Sequence, residues 1–274
     1  MQSFQQSELR ILGRTHDAAA AEAAFGAARA SGLSNIGLDL LIGIPGQSTH
    51  SWRNTLDRAL KLGPEHISIY FLTLEPGVPL ARELRKGGLE QPPDEEQRSW
   101  YMEAKAVLER AGYEHYEIAN FARASFRCRH NENYWNGTPY LGIGPSAHSF
   151  DGERRWWNIA DLQRYYQLVE GGDTPAAGEE RLTANDRLIE LIMLGLRRRE
   201  GFSITAAERL YDGDFQRAIA RAASALGGVD GSGDPFSSSA RDSVLTRRDD
   251  TLCLTGPGLV MADEICARLA AAVT

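Results

Sequence analysis

Cysteine is scarce in this chain: 274 residues carry three, Cys128, Cys253 and Cys266. An odd number at wide spacing excludes a secreted disulfide framework and offers no CxxC metal pair, which points to a reducing, cytoplasmic setting. Long apolar runs are missing as well. No stretch approaches the roughly 18 to 20 residues that span a bilayer, and the opening MQSFQQSELR lacks the basic-then-apolar order of a signal peptide. Neither a transmembrane segment nor a leader is therefore expected. Positive charge is in the minority, with 37 acidic against 30 basic residues and a net charge of -7, which argues against a nucleic-acid partner. The densest basic run, Arg197-Arg198-Arg199, closes a predicted helix, where cations suit the dipole. No internal repeat is visible.

What is present suffices for a large core. Residues 17–31 predict a helix, with Asp17 as its cap and Gly32 as its stop. Ile36 to Ile42 then alternates as a strand, placing Ile36, Leu38, Leu40 and Ile42 on one face and Gly37, Asp39 and Leu41 on the other. Thr49 to Leu62 follows as an amphipathic helix with Trp52, Leu56, Ala59 and Leu60 in one stripe, broken by Gly63-Pro64. His66 to Leu72 is the next strand. Strand, helix, strand at this spacing implies parallel strands joined by a crossover helix, with function at their carboxyl ends, Gly43–Gly46 and Thr73–Gly77. Asp94 to Gln97 reads as a capping box for the next helix, which Gly112 ends. From Tyr113 to about Gly152 the aromatics, glycines and amides predict strands and ordered loops rather than helix. Helical patterns return at roughly 159–170, 183–199 and 204–225, a Gly/Ser/Asp-rich loop covers 227–242, and one short strand and a closing helix end the chain.

Each candidate site has two readings. Asp39 stands among glycines opposite a face of large aliphatics; it could accept hydrogen bonds from a ribose diol or pair with a nearby arginine. In RHNENYWNG, His130 could coordinate a haem iron or bind a substrate; alternatively the stretch is a loop whose Tyr134 and Trp135 are core. Cys128 beside His130 makes a poor zinc site, because about four ligands are needed and none cluster there. Gly142 and Gly144 in YLGIGPSAHSF imply close approach of the backbone to a ligand or to another strand. Trp156-Trp157 and Tyr165-Tyr166 read as packing.

Together, MQSFQQSELRILGRTH, GLDLLIGIPGQS, HISIYFLTLEPGVPL, YEIANFA, CRHNENYWNG, YLGIGPSAHS, LGLRRREGF and LCLTGPG resemble the coproporphyrinogen oxidase-like branch of the radical SAM proteins. Within that branch the resemblance is closest to the haem chaperones of the HemW group, whose HNxxYW motif HNENYW matches. The implied fold is α/β: the C-terminal part of a partial (βα)6 radical SAM barrel over 1–112, a mixed α+β segment over 113–175 that carries HNxxYW, and a helical, winged-helix-like C-terminal domain over 176–274. The implied function is haem binding and transfer, with haem or porphyrin as ligand and a haem-acceptor protein as partner. By the same resemblance Gln2, Arg14, Asp39, Thr73 and His148 contact S-adenosylmethionine. His130 is the haem-iron ligand, and Asn131, Tyr134 and Trp135 shape its pocket. The family's [4Fe-4S] cluster needs three thiolates from a CxxxCxxC loop, which this sequence lacks along with the glycine-rich strand end that precedes QSF. Met1 thus stands where a barrel strand would be finishing. A truncated start is expected, with the Asp39 strand left at an edge and radical chemistry lost. Two other readings stay open: a fragment of an oxygen-independent coproporphyrinogen III oxidase, the enzyme type if the chain is catalytic, and a non-catalytic interaction module.

Overall fold

The computed structural model describes residues 1–75, 77–226 and 243–274; the loop expected at 227–242 lies outside the described residues. The chain divides into two compact units, Met1–Cys128 and Arg129–Thr274. Their boundary falls within the segment expected at 113–175.

The first unit runs α1 (Gln6–Ile11), α2 (Ala18–Ala30), β1 (Gly37–Ile42), α3 (Thr49–Leu62), β2 (His66–Phe71), α4 (Pro79–Arg85), α5 (Asp94–Arg110), β3 (Glu114–Glu117) and β4 (Asn120–Ala122). Local chemistry sets the helix ends. Asp17 accepts from the Ala20 N–H, and Ser48 and Ser51 cap α3 reciprocally until Gly63, at φ 64°, turns the chain out. β1 and β2 are parallel, from Gly37 opposite His66 to Ile42 opposite Phe71, and α3 forms the crossover between them as expected. The alternation holds: Leu38, Leu40 and Ile42 are buried while Asp39 is exposed. Beneath the aliphatic face lie Trp52 of α3 and Trp100 of α5, both almost wholly buried. Their indole N–H groups donate to the Trp100 carbonyl and to the Thr49 hydroxyl, respectively, so the polar handles are satisfied inside the core.

The sheet order is β1-β2-β4-β3, and β4 pairs antiparallel to β2 and to β3. The sheet is therefore mixed, with β1 at its edge, and the Leu41 N–H on that edge donates to the Gln2 carbonyl at 2.9 Å. The capping box expected at 94–97 does not form. Pro93 takes the N-cap position, so Asp94 is already helical, and the Gln97 amide donates to the Pro92 carbonyl instead.

The second unit contains α6 (Arg129–Trp135), β5 (His148–Phe150), β6 (Arg154–Asn158), α7 (Leu162–Glu170), β7 (Ala176–Arg181), α8 (Ala184–Arg197), β8 (Phe202–Ser203), α9 (Ile204–Glu208), α10 (Phe215–Ala225), β9 (Leu245–Arg248), β10 (Thr251–Leu254), α11 (Gly256–Leu259) and α12 (Ala262–Ala272). Two antiparallel three-stranded sheets result, β5-β6-β7 and β8-β10-β9. The second packs with α8, α10 and α12 around Leu188, Ile192, Leu196, Phe215, Leu252 and Ile265.

Three expectations fail in this unit. The 113–152 stretch does hold a helix, α6, through the HNENYW motif. The helix expected at 204–225 is two, because Asp214 restarts the helix as the cap of α10 by accepting from the Arg217 N–H. The single strand expected near the end is a hairpin, β9–β10, joined by β8. Among the described residues no helix is long and apolar enough to cross a membrane.

Candidate functional site

Helix geometry explains the spacing of HNENYW. Residues four apart share a face, so His130 lies over Tyr134 and Asn131 over Trp135 on the seven residues of α6. The His130 and Tyr134 rings meet edge to face, with centroids 4.9 Å apart and planes at 88°. Tyr134 continues to Tyr140 at 4.5 Å, and Tyr140 to Phe150 at 6.1 Å, so a file of rings leads from the helix onto β5. The helix ends at Gly137, whose φ of 65° brings the Thr138 N–H back to the Asn133 carbonyl. The helix packs against α8.

The reading of Tyr134 and Trp135 as core does not hold. Tyr134 is 38% exposed, Trp135 and Asn131 are half-buried, and His130 is exposed. No hydrogen bond ties the His130 imidazole to any described residue, which leaves its lone pair available.

A pocket of about 190 Å³ opens beside this file of rings, lined by Tyr134, Tyr140, His148, Phe150 and Leu194 with the Arg155–Glu190 ion pair on one wall. Arg155 of β6 reaches Glu190 of α8 at 2.8 Å and Glu180 of β7 at 3.2 Å, and its guanidinium lies over the Phe150 ring. Burial opposes its charge, but hydrogen bonds from the guanidinium to Glu190 and Tyr140 outweigh burial and hold its pKa above the ordinary value. His148 is exposed, with its ring against Trp157 at 5.7 Å.

Sequence reasoning missed Tyr140, Phe150, Arg155, Glu190 and Leu194. The signal was present for two of them. The motif segment YLGIG begins at Tyr140, and in RRWWN the alternation of a strand sends Arg155 and Trp157 to one face. For Gly142 the answer is the strand, because a Cβ there would run into the His148 backbone carbonyl, whereas Gly144 has open space and serves the turn through its φ of 110°.

The residues expected to contact S-adenosylmethionine fall in both units. Gln2, Arg14, Asp39 and Thr73 belong to the first, and His148 belongs to the second. Asp39 and Arg14 both act electrostatically on the amino group of Met1, so the Gln2 segment, Arg14 and Asp39 share one neighbourhood. Thr73 is exposed just beyond β2. No described arginine forms an ion pair with Asp39, and the Gln2 side-chain carbonyl is buried without a hydrogen-bond partner. The exposed Asp39 carboxylate can accept hydrogen bonds from a ligand that brings donors.

The thiols do not suit an iron–sulfur cluster. Cys128 is half-buried and Cys253 and Cys266 are buried; burial, with help from Asp263, pushes the Cys266 thiol up to about 11, away from the thiolate a cluster needs. Among the described residues no group of three His, Cys, Asp or Glu could hold a metal ion.

Comparison with known proteins follows the same lines. The chain is 35% identical over 269 residues to "Heme chaperone HemW" of Mycobacterium tuberculosis, covering 98% of this chain and 64% of that protein. It is 32% identical over 280 residues to the protein of the same name from Synechocystis, covering all of this chain and 68% of that one. In structure it is similar to the radical SAM enzyme coproporphyrinogen III oxidase (HemN) of Escherichia coli, with a TM-score of 0.74 at 22% identity over 98% of this chain and 62% of that chain. That identity shows a shared fold. No family model matches the chain.

Proposed function

Because this chain belongs to the HemW family of haem chaperones, we propose that it binds haem and passes it to a haem-acceptor protein. The observation that carries the reading is His130: exposed, free of hydrogen bonds to described residues, and braced edge-on by Tyr134 at 4.9 Å. An imidazole held this way can offer its nitrogen to an axial position of haem iron. The rings of Tyr134 and Tyr140, with planes at 70°, give a macrocycle aromatic contacts through one ring face and one ring edge. Asn131 and Trp135, on the adjacent face of α6, complete the pocket. A site on the surface of a short helix suits cargo that must leave again better than a cofactor kept for life.

In the same reading Asp39, with Gln2, Arg14 and Thr73 near the carboxyl ends of β1 and β2, faces the ribose and amino-acid parts of S-adenosylmethionine. When bound in the family, that nucleoside and its cluster supply radical chemistry. The cysteines of this chain do not provide the three thiolates, and no radical step is assigned to its residues. The parallel β1–α3–β2 run is taken as part of a partial (βα)6 barrel over 1–112, extended by 113–175. Residues 176–274 are taken as a winged-helix-like domain built on the β8-β10-β9 sheet. A cytoplasmic location accords with the cysteine usage. The oxidase reading is less well supported, since the relatives above 30% identity named here are chaperones and the oxidase shares the fold at 22%.

Haem titration of the purified chain tests the proposal. Wild type and His148→Ala should shift the Soret band alike, and His130→Ala should lose that shift. Identical spectra from wild type and His130→Ala would remove His130 as the ligand.

A further inference from the structure

Helix α8 has two apolar faces, and only one of them is covered. Leu188, Ile192 and Leu196 are 0–1% exposed in the core formed with α10, α12 and the β8-β10-β9 sheet. Ile189, Met193 and Leu194 point elsewhere, into a groove of about 500 Å³ whose opposite wall is Arg155 of β6, Glu180 of β7 and Leu182. Met193 is 48% exposed there. With Ile189 and Leu194 beside it, Met193 gives the groove an apolar floor open to water.

The charges around the groove select the occupant. Glu180, Asp186 and Glu190 stand on its rim against a single guanidinium. That guanidinium, on Arg155, is already engaged by Glu180 and Glu190. Asp186 is held ionised by hydrogen bonds from the Thr183 hydroxyl and N–H. Excess carboxylate repels an anionic ligand, and a tetrapyrrole bearing propionates is disfavoured for that reason. An apolar floor with acidic rims fits an amphipathic segment whose Leu-like residues enter the groove and whose lysines or arginines meet the rim.

We propose that the groove between α8 and β7 docks a basic amphipathic segment of a partner protein. The proposal deepens the haem-transfer reading by naming the partner's chemistry, and rests on it for the purpose of the contact. The placement suits that purpose, because Arg155, Glu190 and Leu194 line both this groove and the smaller aromatic pocket beside Tyr134 and His148. A segment seated on Met193 would lie one ion pair away from the rings proposed to hold haem.

The test uses the full chain and two fluorescein-labelled synthetic peptides of about 15 residues, roughly four helical turns. Both carry leucines at helical spacing, one with lysines elsewhere and the other with glutamates. Anisotropy should report binding of the lysine peptide and not of the glutamate peptide. Met193→Lys, a surface change that leaves the core of α8 intact, should weaken binding about tenfold or more. Glu180→Gln combined with Glu190→Gln should weaken it severalfold and reduce its dependence on salt. Bound peptide should slow amide exchange in residues 179–194. Unchanged affinity in Met193→Lys, or equal binding of both peptides, would overturn the proposal. So would loss of the haem Soret shift in Met193→Lys, because the groove would then belong to the haem site. Intact docking in a protein whose Soret shift is indifferent to His130→Ala would leave this groove standing and remove the haem-ligand reading.

Discussion

The two units use tryptophan in opposite ways. In the first, Trp52 and Trp100 are buried, and so are Tyr101, Tyr113, Tyr116 and Phe121. In the second, none of Trp135, Trp156 and Trp157 is buried, Tyr134 and Tyr166 are exposed, and the core is mostly aliphatic. Histidines do not divide so cleanly: in the first unit His115 is buried, His66 and His16 are half-buried and His50 is exposed, while His130 and His148 are exposed on the second. Aromatic area stabilises a fold only when removed from water. The tryptophans of the first unit hold its sheet on its helices, and those of the second lie partly open to water.

The largest expected effect exploits that division within one residue type. Trp100→Ala should destabilise the first unit by about 3–5 kcal/mol, the usual cost of a large aromatic cavity. Trp156→Ala in the second unit should cost about 1 kcal/mol or less. Its half-exposed indole lies against the Arg154 guanidinium at 4.9 Å, a contact worth little at a wet surface. Urea unfolding followed by amide exchange, read separately in β1–β2 and in α8–α12, measures both. Equal losses would end the claim that the two units spend their aromatics differently.

Glycine offers a second, smaller contrast. Gly112 and Gly201 both hold positive φ, 86° and 76°. A Cβ at Gly112 would meet nothing within 4 Å, whereas one at Gly201 would run into the Leu252 carbonyl and the Cys253 sulfur. Gly112→Ala should therefore cost only the left-handed conformation, about 1 kcal/mol. Gly201→Ala adds a collision with the β10 backbone that cannot retreat, and should cost about 2–3 kcal/mol. Thermal unfolding of the two variants ranks them directly, and a reversed order would mean that β10 yields more easily than its pairing with β8 and β9 implies.

How far sequence reasoning reached follows the same division. Strand β1 could be read from strict alternation, and α3 from its stripe and its breaker Gly63. Those signals are local and agree with the tertiary packing. α6 was missed because its seven polar-rich residues are too few for periodicity, have low helical propensity and bury nothing, so contact with α8 rather than local preference sustains them. The box at 94–97 was misread because Pro93, fixed near φ −65°, already serves as the N-cap. The motif itself was visible, and so was His130. The Arg155–Glu190 wall was not, because its partners are 35 residues apart and meet only when β6 comes to lie beside α8.

The smallest effect concerns protons and again separates the units. Burial lowers the pKa of His66, with the nearby Asp39 opposing it, and the Tyr116 hydroxyl lies 2.7 Å from Nε2. A histidine whose folded pKa lies below its unfolded value of about 6.5 binds fewer protons folded than unfolded. Stability is then fully present above that value and falls as the pH drops through it, since the unfolded chain takes up the proton first. The first unit should lose stability between about pH 7 and pH 5, and the slope should flatten in His66→Gln, whose amide can still accept from Tyr116 but does not titrate. Amide exchange in β1 and β2 at the two pH values reads the effect where it arises. Equal acid sensitivity in wild type and His66→Gln would assign the loss to other groups.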